Sequence, residues 1–309
     1  MSSRSIAMSQ PVARERARLM DRVEGALPKI VLAPTFAICV VFFYGYIIWT
    51  AVLSMTPSRM LPNYEFIGLE RYVELFSNDR WWLALKNLAI FGGLFIFLCL
   101  AMGLFLAILL DQKIRAEGAI RSVFLYPMAL SFIVTGTAWK WILDPSIGLE
   151  KVIHDLGWTA FSFNWIKDPE MAIYTVVIAG IWQSSGFVMA LFLAGLRGID
   201  DSIIKAALVN GASMPTIYRR IILPSLRPVF FSSFMILAHI AIKSFDLVMA
   251  LTGGGPGFAT DLPATFMYAF SFTRNQIGLG AASSIIMLMI VVSVVVPFMY
   301  SELRRSDRA

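Results

Sequence analysis

Histidine, lysine and aspartate stand at positions 239, 243 and 246, at spacings of four and three, so on a helix they share one face. His239, Lys243 and Asp246 lie inside a long apolar stretch. Ionisable groups turned to lipid there would be costly, so they must face a cavity or a neighbouring helix. Lys243 and Asp246 either neutralise each other, lock to another helix, or hold a polar solute directly. Covalent chemistry finds little support. His154 and His239 show neither metal-ligand spacing nor the pattern of a nucleophilic triad. No Gly-x-x-x-x-Gly-Lys-Ser/Thr loop occurs, so the chain has no visible means of binding ATP itself. Asp246 is the only acidic residue well inside an apolar stretch, which leaves no carboxylate pair for a proton relay. Cys39 and Cys99 sit in apolar runs and read as small buried hydrophobes. No catalytic residue, metal site or cofactor is expected.

The elements that must position these groups follow from composition. Of 309 residues, 58% are hydrophobic and 15% charged, against about 45–50% and about 25% in soluble domains. A water-soluble core has no room for that excess, so an all-α polytopic membrane protein is expected. Crossing the hydrocarbon takes about 20 mostly apolar residues, and about six stretches qualify: Ile30 to Leu53, Leu85 to Leu110, Ala119 to Leu143, Met171 to Leu196, Val229 to Leu251 and Ile277 to Tyr300. The first is too long for a signal-peptide core and reads as retained. The organisation is a basic tail over 1–29, a transmembrane region over 30–301 and a short tail over 302–309.

Lys and Arg concentrate in the N-terminal tail, in the second-to-third loop (Lys113, Arg115, Arg121), in the fourth-to-fifth loop (Arg197, Lys205, Arg219, Arg220, Arg227) and in the C-terminal tail. Basic residues are retained on the cytoplasmic side, so both termini are expected there. The net charge of +6 is absorbed by these flanks, and no nucleic-acid partner is expected. The outer loops, 54–84, 144–170 and 252–276, carry Trp81, Trp82, Trp158 and Trp165 among prolines. These read as interfacial anchors or as a docking surface for an external partner. Lys140, between Trp139 and Trp141, can snorkel to the headgroups. The Gly253 to Gly257 run is expected to be too flexible for a rigid anchor.

The cytoplasmic loop 198–228 has readable local chemistry. Asp200 or Asp201 can cap a short helix through Val209, Asn210 and Gly211 suit a left-handed turn, and Pro215 can open a second short helix. Pro224 and Pro228 are expected to end it. Ala206 and Ala207 leave one side slim enough to enter a groove on another protein.

This loop resembles the cytoplasmic signature of ATP-binding-cassette (ABC) importer permeases: Glu-Ala-Ala, then Asp-Gly-Ala, then Ile-x-Leu-Pro. Here it reads Lys205, Ala206, Ala207, then Asn210, Gly211, Ala212, then Ile221, Ile222, Leu223, Pro224. Lys205 and Asn210 replace the usual acidic residues, so a carboxylate contact with the ATPase does not carry over. Further matches run from Lys29 to Leu303, including Leu125 to Ser131, Gly186 to Leu196 and Leu251 to Pro256, and are similar to the maltose-type first permease of the sugar branch. Asp79 to Trp82 and Ala238 to Asp246 look most like glucose/mannose-type permeases.

The resemblance implies a type I ABC importer permease fold in a bacterial cytoplasmic (inner) membrane. It also implies a second permease, two copies of an ATP-binding subunit, an extracytoplasmic sugar-binding protein, contact with membrane lipid, and a glucose-like monosaccharide as substrate. It makes Lys205, Ala206, Ala207, Asn210, Gly211, Ala212, Leu223 and Pro224 the coupling residues. Carried over from the maltose-type permease, the sugar contacts fall on Gln183, Ser184 and Phe187 and on Leu237, Ile240, Ala241 and Ser244. Lys243 and Asp246 join them from the first argument. An ion-coupled secondary transporter and a membrane scaffold are the competing readings.

Overall fold

The computed structural model describes residues 10–112 and 114–306. Among them there is no strand, and the chain forms two compact units, Met1–Val52 and Leu53–Ala309. The first contains most of one helix, α1 (Gln10–Leu53), whose Val31–Leu53 segment has a mean hydropathy of 2.2 and the length to cross a bilayer.

The second unit runs α2 (Glu70–Phe76), α3 (Asp79–Leu110), α4 (Glu117–Leu125), α5 (Phe132–Ile142), α6 (Leu149–Asp155), α7 (Ala172–Arg197), α8 (Asp201–Val209), α9 (Met214–Ile217), α10 (Leu223–Ser225), α11 (Arg227–Ile242), α12 (Asp246–Leu251), α13 (Pro263–Tyr268) and α14 (Ile277–Ser306). The parts of α1, α3, α7 and α14 that are long and apolar enough to span stand where the first, second, fourth and sixth expected spans lie.

The other two spans depart from expectation. The third, read from sequence as continuous over Ala119 to Leu143, is bent by 100°. α4 passes through a 3-10 turn at Tyr126–Ala129, Leu130 is extended, and Ser131 caps α5 by accepting the Val134 N–H. The fifth, read as Val229 to Leu251, is interrupted: α11 ends at Ile242, and Lys243, Ser244 and Phe245 separate it from α12. Pro224 and Pro228 also behave differently from the reading above. Each sits in the first turn of a helix, Pro224 in α10 and Pro228 in α11, where its missing N–H costs nothing. The π turn Tyr218–Ile222 leads into Pro224, and the axis bends by 59° between Met214–Ser225 and α11.

α7 is the axis of the second unit. Within its most apolar window 72% of residues are buried, against 28% for α3 and α14. Lipid supplies no hydrophobic drive for helix association, so close backbone approach at small residues decides which faces meet. A Cβ on Gly103 of α3 would stand 2.6 Å from the Val188 side chain, and Phe95 packs on Gly180. Gly186, part of a small-residue stripe with Ala190 and Ala194, meets the Phe124 carbonyl at the end of α4, while Ala194 is exposed. A second cluster joins Leu75, Trp81, Phe266, Phe270 and Leu279 at the other end of α3. Trp81 is therefore no interfacial anchor: it is fully buried, 5.2 Å from the Phe266 ring, whereas Trp82 is exposed.

Gly186→Ala puts a methyl group into the Phe124 carbonyl and must push α4 away from α7. It should destabilise the fold by about 1–3 kcal/mol, the usual cost of overpacking, read as a lower unfolding temperature in detergent. An unchanged unfolding temperature would show that this crossing is loose.

Candidate functional site

At one end of the bundle α8 and α9 form a short helix pair. Asp200 caps α8, its carboxylate accepting the Ser202 N–H at 2.8 Å. Gly211 closes the helix at φ +79°, with its N–H on Leu208 O and the Ala212 N–H on Ala207 O. The Asn210 amide donates to Ala206 O at 2.9 Å, and Ser213 and Pro215 open α9. Ile204, Ala207, Ala212, Tyr218 and Ile221 pack toward the core. Several apolar side chains of the pair stay open: Val209 is 88% exposed, and Ile203, Leu208 and Met214 are exposed as well. Lys205, Ala206 and Asn210 are also exposed, with Lys205 3.9 Å from Asp201, while Leu223 and Pro224 are half-buried.

Arg197, the last residue of α7, fixes the base of this pair, 2.9 Å from Glu117 and 3.8 Å from Asp111. The Ser202 N–H holds the Asp200 carboxyl below its usual range, so this cap is present at neutral pH and is lost only as pH falls through that lowered value.

The second feature lies where the two spans break. A cleft of about 230 Å³ is lined by Phe132 at the start of α5 and by His239, Ile240, Lys243, Ser244, Phe245, Asp246 and Leu247 around the gap between α11 and α12. Lys243 and Asp246 are exposed to it and do not pair with each other among the described ion pairs. Broken helices expose backbone groups and side chains to a cavity at mid-span, a common way to hold polar cargo in a membrane.

The candidates separate here. Ile240, Lys243, Ser244 and Asp246 line the cleft. Ala241 is buried, facing Gly92 of α3, and Leu237 is fully buried in the core. Gln183 is 3% exposed, and its amide donates to Leu130 O at 2.8 Å, so it ties α7 to the break in the third span. Ser184 is buried and Phe187 packs on the core. Phe132 and Phe245 escaped the sequence reading. Pro127 and Ser131, a helix breaker followed by a capping residue, were the signal that would have found Phe132.

Residues 99–306 match the model of the family described as binding-protein-dependent transport system inner membrane component. The chain belongs to that family. A probable ABC transporter permease of Pyrococcus horikoshii is 39% identical over 286 residues, covering 91% of this chain and 98% of that protein. A xylose/arabinose import permease of Haloferax volcanii is 35% identical over 274 residues, covering 87% and 86%. A trehalose/maltose transport system permease of Thermococcus litoralis is 28% identical over 278 residues, covering 89% and 93%. Among solved structures, a bacterial ABC transporter involved in import of the acidic polysaccharide alginate superposes with a TM-score of 0.79 at 22% identity, covering 93% of this chain and 99% of that one. That likeness shows the same helical fold.

In this inner membrane component the end of the bundle opposite α8 is held by a buried ion pair. Asp261, 1% exposed, receives Arg80 Nε at 2.6 Å and the Thr265 hydroxyl at 2.6 Å, while the Asn87 amide donates to its backbone carbonyl. The Arg80 guanidinium also lies over the Phe258 ring at 4.0 Å. The glycine run beside it is not slack, contrary to the sequence reading. The Thr252 and Thr260 hydroxyls meet at 2.6 Å, Thr260 donates to Gly255 O, and the Thr260 N–H binds Gly254 O.

Asp261→Ala leaves Arg80 with no carboxylate in a site nearly closed to water. It should cost about 3 kcal/mol, read as a lower unfolding temperature, because a buried charge that loses its partner is strongly destabilising. A Val at position 211 must take the positive φ against a preference of about 1–2 kcal/mol. Gly211→Val should therefore insert and fold but reduce transport several-fold. Wild-type transport by a normally expressed variant would remove the turn from the mechanism.

Proposed function

We propose that this component is one of two different permease subunits of an ATP-driven carbohydrate importer. It works with two copies of a separate ATP-binding subunit and with an extracytoplasmic sugar-binding protein. The observation that carries the reading is the set of exposed apolar side chains on α8 and α9, with Val209 88% exposed on a helix pair that is otherwise capped, turned and anchored. Such a set is suited to a groove on a partner protein. Lys205, Ala206, Ala207, Asn210, Gly211, Ala212, Leu223 and Pro224 form the coupling segment within 198–228. That end of the bundle and both termini are cytoplasmic, in keeping with the distribution of Lys and Arg.

The substrate is a neutral sugar, and a glucose-like monosaccharide fits best. Lys243 and Asp246 bring one positive and one negative charge to the cleft, so it offers donors and acceptors without net charge. His239 and Ser244 add hydrogen-bonding groups, and Phe132 and Phe245 supply ring surface. Relatives named for xylose/arabinose and trehalose/maltose support a polyhydroxylated cargo. Gln183, Ser184 and Phe187 act behind this site, with Gln183 bracing the break from which Phe132 projects.

Reconstitution tests the reading. Vesicles holding both permeases, the ATPase and the binding protein should take up sugar when ATP is supplied, and vesicles holding this chain alone should not. Uptake by the single chain under an ion gradient would replace the importer with a secondary transporter. Asp246→Asn should lower uptake at least about tenfold if the carboxylate accepts sugar hydroxyls, the loss expected when a charged hydrogen bond is removed, with binding-protein-independent ATP hydrolysis unchanged.

A further inference from the structure

We propose that a groove at the end of the bundle opposite α8 receives an acidic side chain of the external binding protein, and that this contact bears on the cleft through one packed pair of short helices. The proposal rests on the importer reading above.

The groove, about 290 Å³, is lined by Lys140 and Asp144 at the end of α5, by Ile166 and Lys167 of the following loop, and by Leu251, Thr252, Gly255 and Pro256 after α12. Two of its walls are stiff. Thr252 and Gly255 belong to the glycine run pinned by Thr260. Asp144 is committed locally, accepting both the hydroxyl and the N–H of Ser146, which with neighbouring Lys167 holds its carboxyl below the usual range. Lys140 and Lys167 enter no ion pair among the described residues, so two exposed ammonium groups stand at a preformed opening with Asp144 to offset one of them. Lys140 thus faces this groove, a different role from the headgroup snorkelling read from its tryptophan neighbours. The net positive charge calls for a carboxylate. The family is binding-protein-dependent, and on the orientation proposed above this is the end that an external protein meets.

The same two helices line the groove and the cleft. α5 places Phe132 in the cleft and Lys140 in the groove, about 12 Å apart at 1.5 Å per residue. α12 places Asp246 and Leu247 in the cleft and Leu251 in the groove. Between the two sites the helices touch closely: a Cβ on Gly136 would stand 2.7 Å from Ala250 Cβ and 3.0 Å from Leu247 O. A pair packed this tightly moves as one body, so a partner that grips the outer end also displaces the residues that face the solute.

The test uses the assembled complex of both permeases and the ATPase in phosphatidylcholine nanodiscs, with purified binding protein titrated over a range of salt. Lys140→Glu combined with Lys167→Glu should weaken binding on the order of tenfold and flatten its salt dependence, as charge reversal at an interface does. Lys140→Arg with Lys167→Arg should bind as wild type, and ATP hydrolysis without binding protein should be the same in all three. Equal affinity and equal salt slope for wild type and the reversed variant would overturn the groove while leaving the importer reading intact. A reversed variant that binds normally but no longer responds to added anionic lipid would assign the lysines to headgroup phosphate and overturn it as well. If the wild-type complex does not bind the binding protein at all, the importer reading falls and takes this inference with it.

Discussion

A backbone N–H or C=O left without a partner in hydrocarbon costs several kcal/mol, and this chain places two such liabilities in its interior. The gaps at Leu130 and at Lys243 to Phe245 release helical hydrogen bonds between apolar helices. Each is repaired by the protein: Gln183 reaches from α7 to the Leu130 carbonyl, the Ser131 hydroxyl takes the Val134 N–H, and the Lys243 and Ser244 N–H groups fold back onto His239 and Ala241. The repairs require that both gaps face inward, and that requirement puts Phe132 and Asp246 around one cleft.

Rigid and compliant regions then follow from side-chain size. Where glycine lets backbones meet, as at Gly103, Gly136 and Gly186, a helix pair cannot slide without collision, so such pairs transmit displacement. The half-helices are short and joined to their partners by a few extended or turn residues, so the breaks are where they can tilt. A transporter that alternates between two openings needs stiff bodies linked at a few soft joints. The breaks at 130–131 and 243–245 have that character, and Arg197, bound to Glu117 and close to Asp111, ties the base of the α8–α9 pair to the start of the third span.

Features written in local chemistry were legible in the sequence. The Asp200 cap, the left-handed Gly211 and the Pro215 helix start all stand where residue type places them. The four unbroken spans were legible because hydrophobic length alone marks them. The breaks were missed because an apolar window averages over Leu130 and over Lys243 to Phe245, and hydropathy does not register direction. Trp81 and Trp82 show the same limit: adjacent and identical in type, one is fully buried against Phe266 and the other exposed, a difference set by which face of α3 meets α13. The rigidity of the glycine run was hidden because it depends on Thr260, several residues away, and the Arg80 to Asp261 pair because its members are 181 residues apart. Ala241 and Gln183 lie buried against Gly92 and the Leu130 carbonyl, placements set by the rotation of each helix against its neighbours, which residue type alone does not encode.

Lys205 and Asn210, which replace the acidic residues of the coupling signature, bear on what that signature is for. α8 is capped by Asp200 and closed by Gly211, and neither element needs a carboxylate at 205 or 210. Asn210 turns its amide back to Ala206, and Lys205 points outward beside Asp201. The local fold therefore needs neither carboxylate, and Asn210 adds a bond to Ala206 O that an aspartate could not donate. Exposed ion pairs contribute about 0–1 kcal/mol, whereas burying one large aliphatic side chain contributes about 1.5–3 kcal/mol. With Val209, Leu208, Ile203 and Met214 all open on the same helix pair, apolar burial can supply most of the attraction. Under the coupling role proposed above, the charge at position 205 is left to choose between partners: an ATPase offering a basic residue opposite Lys205 would be rejected and one offering an acidic residue accepted, so the reversed charge would select a partner more than it strengthens the grip.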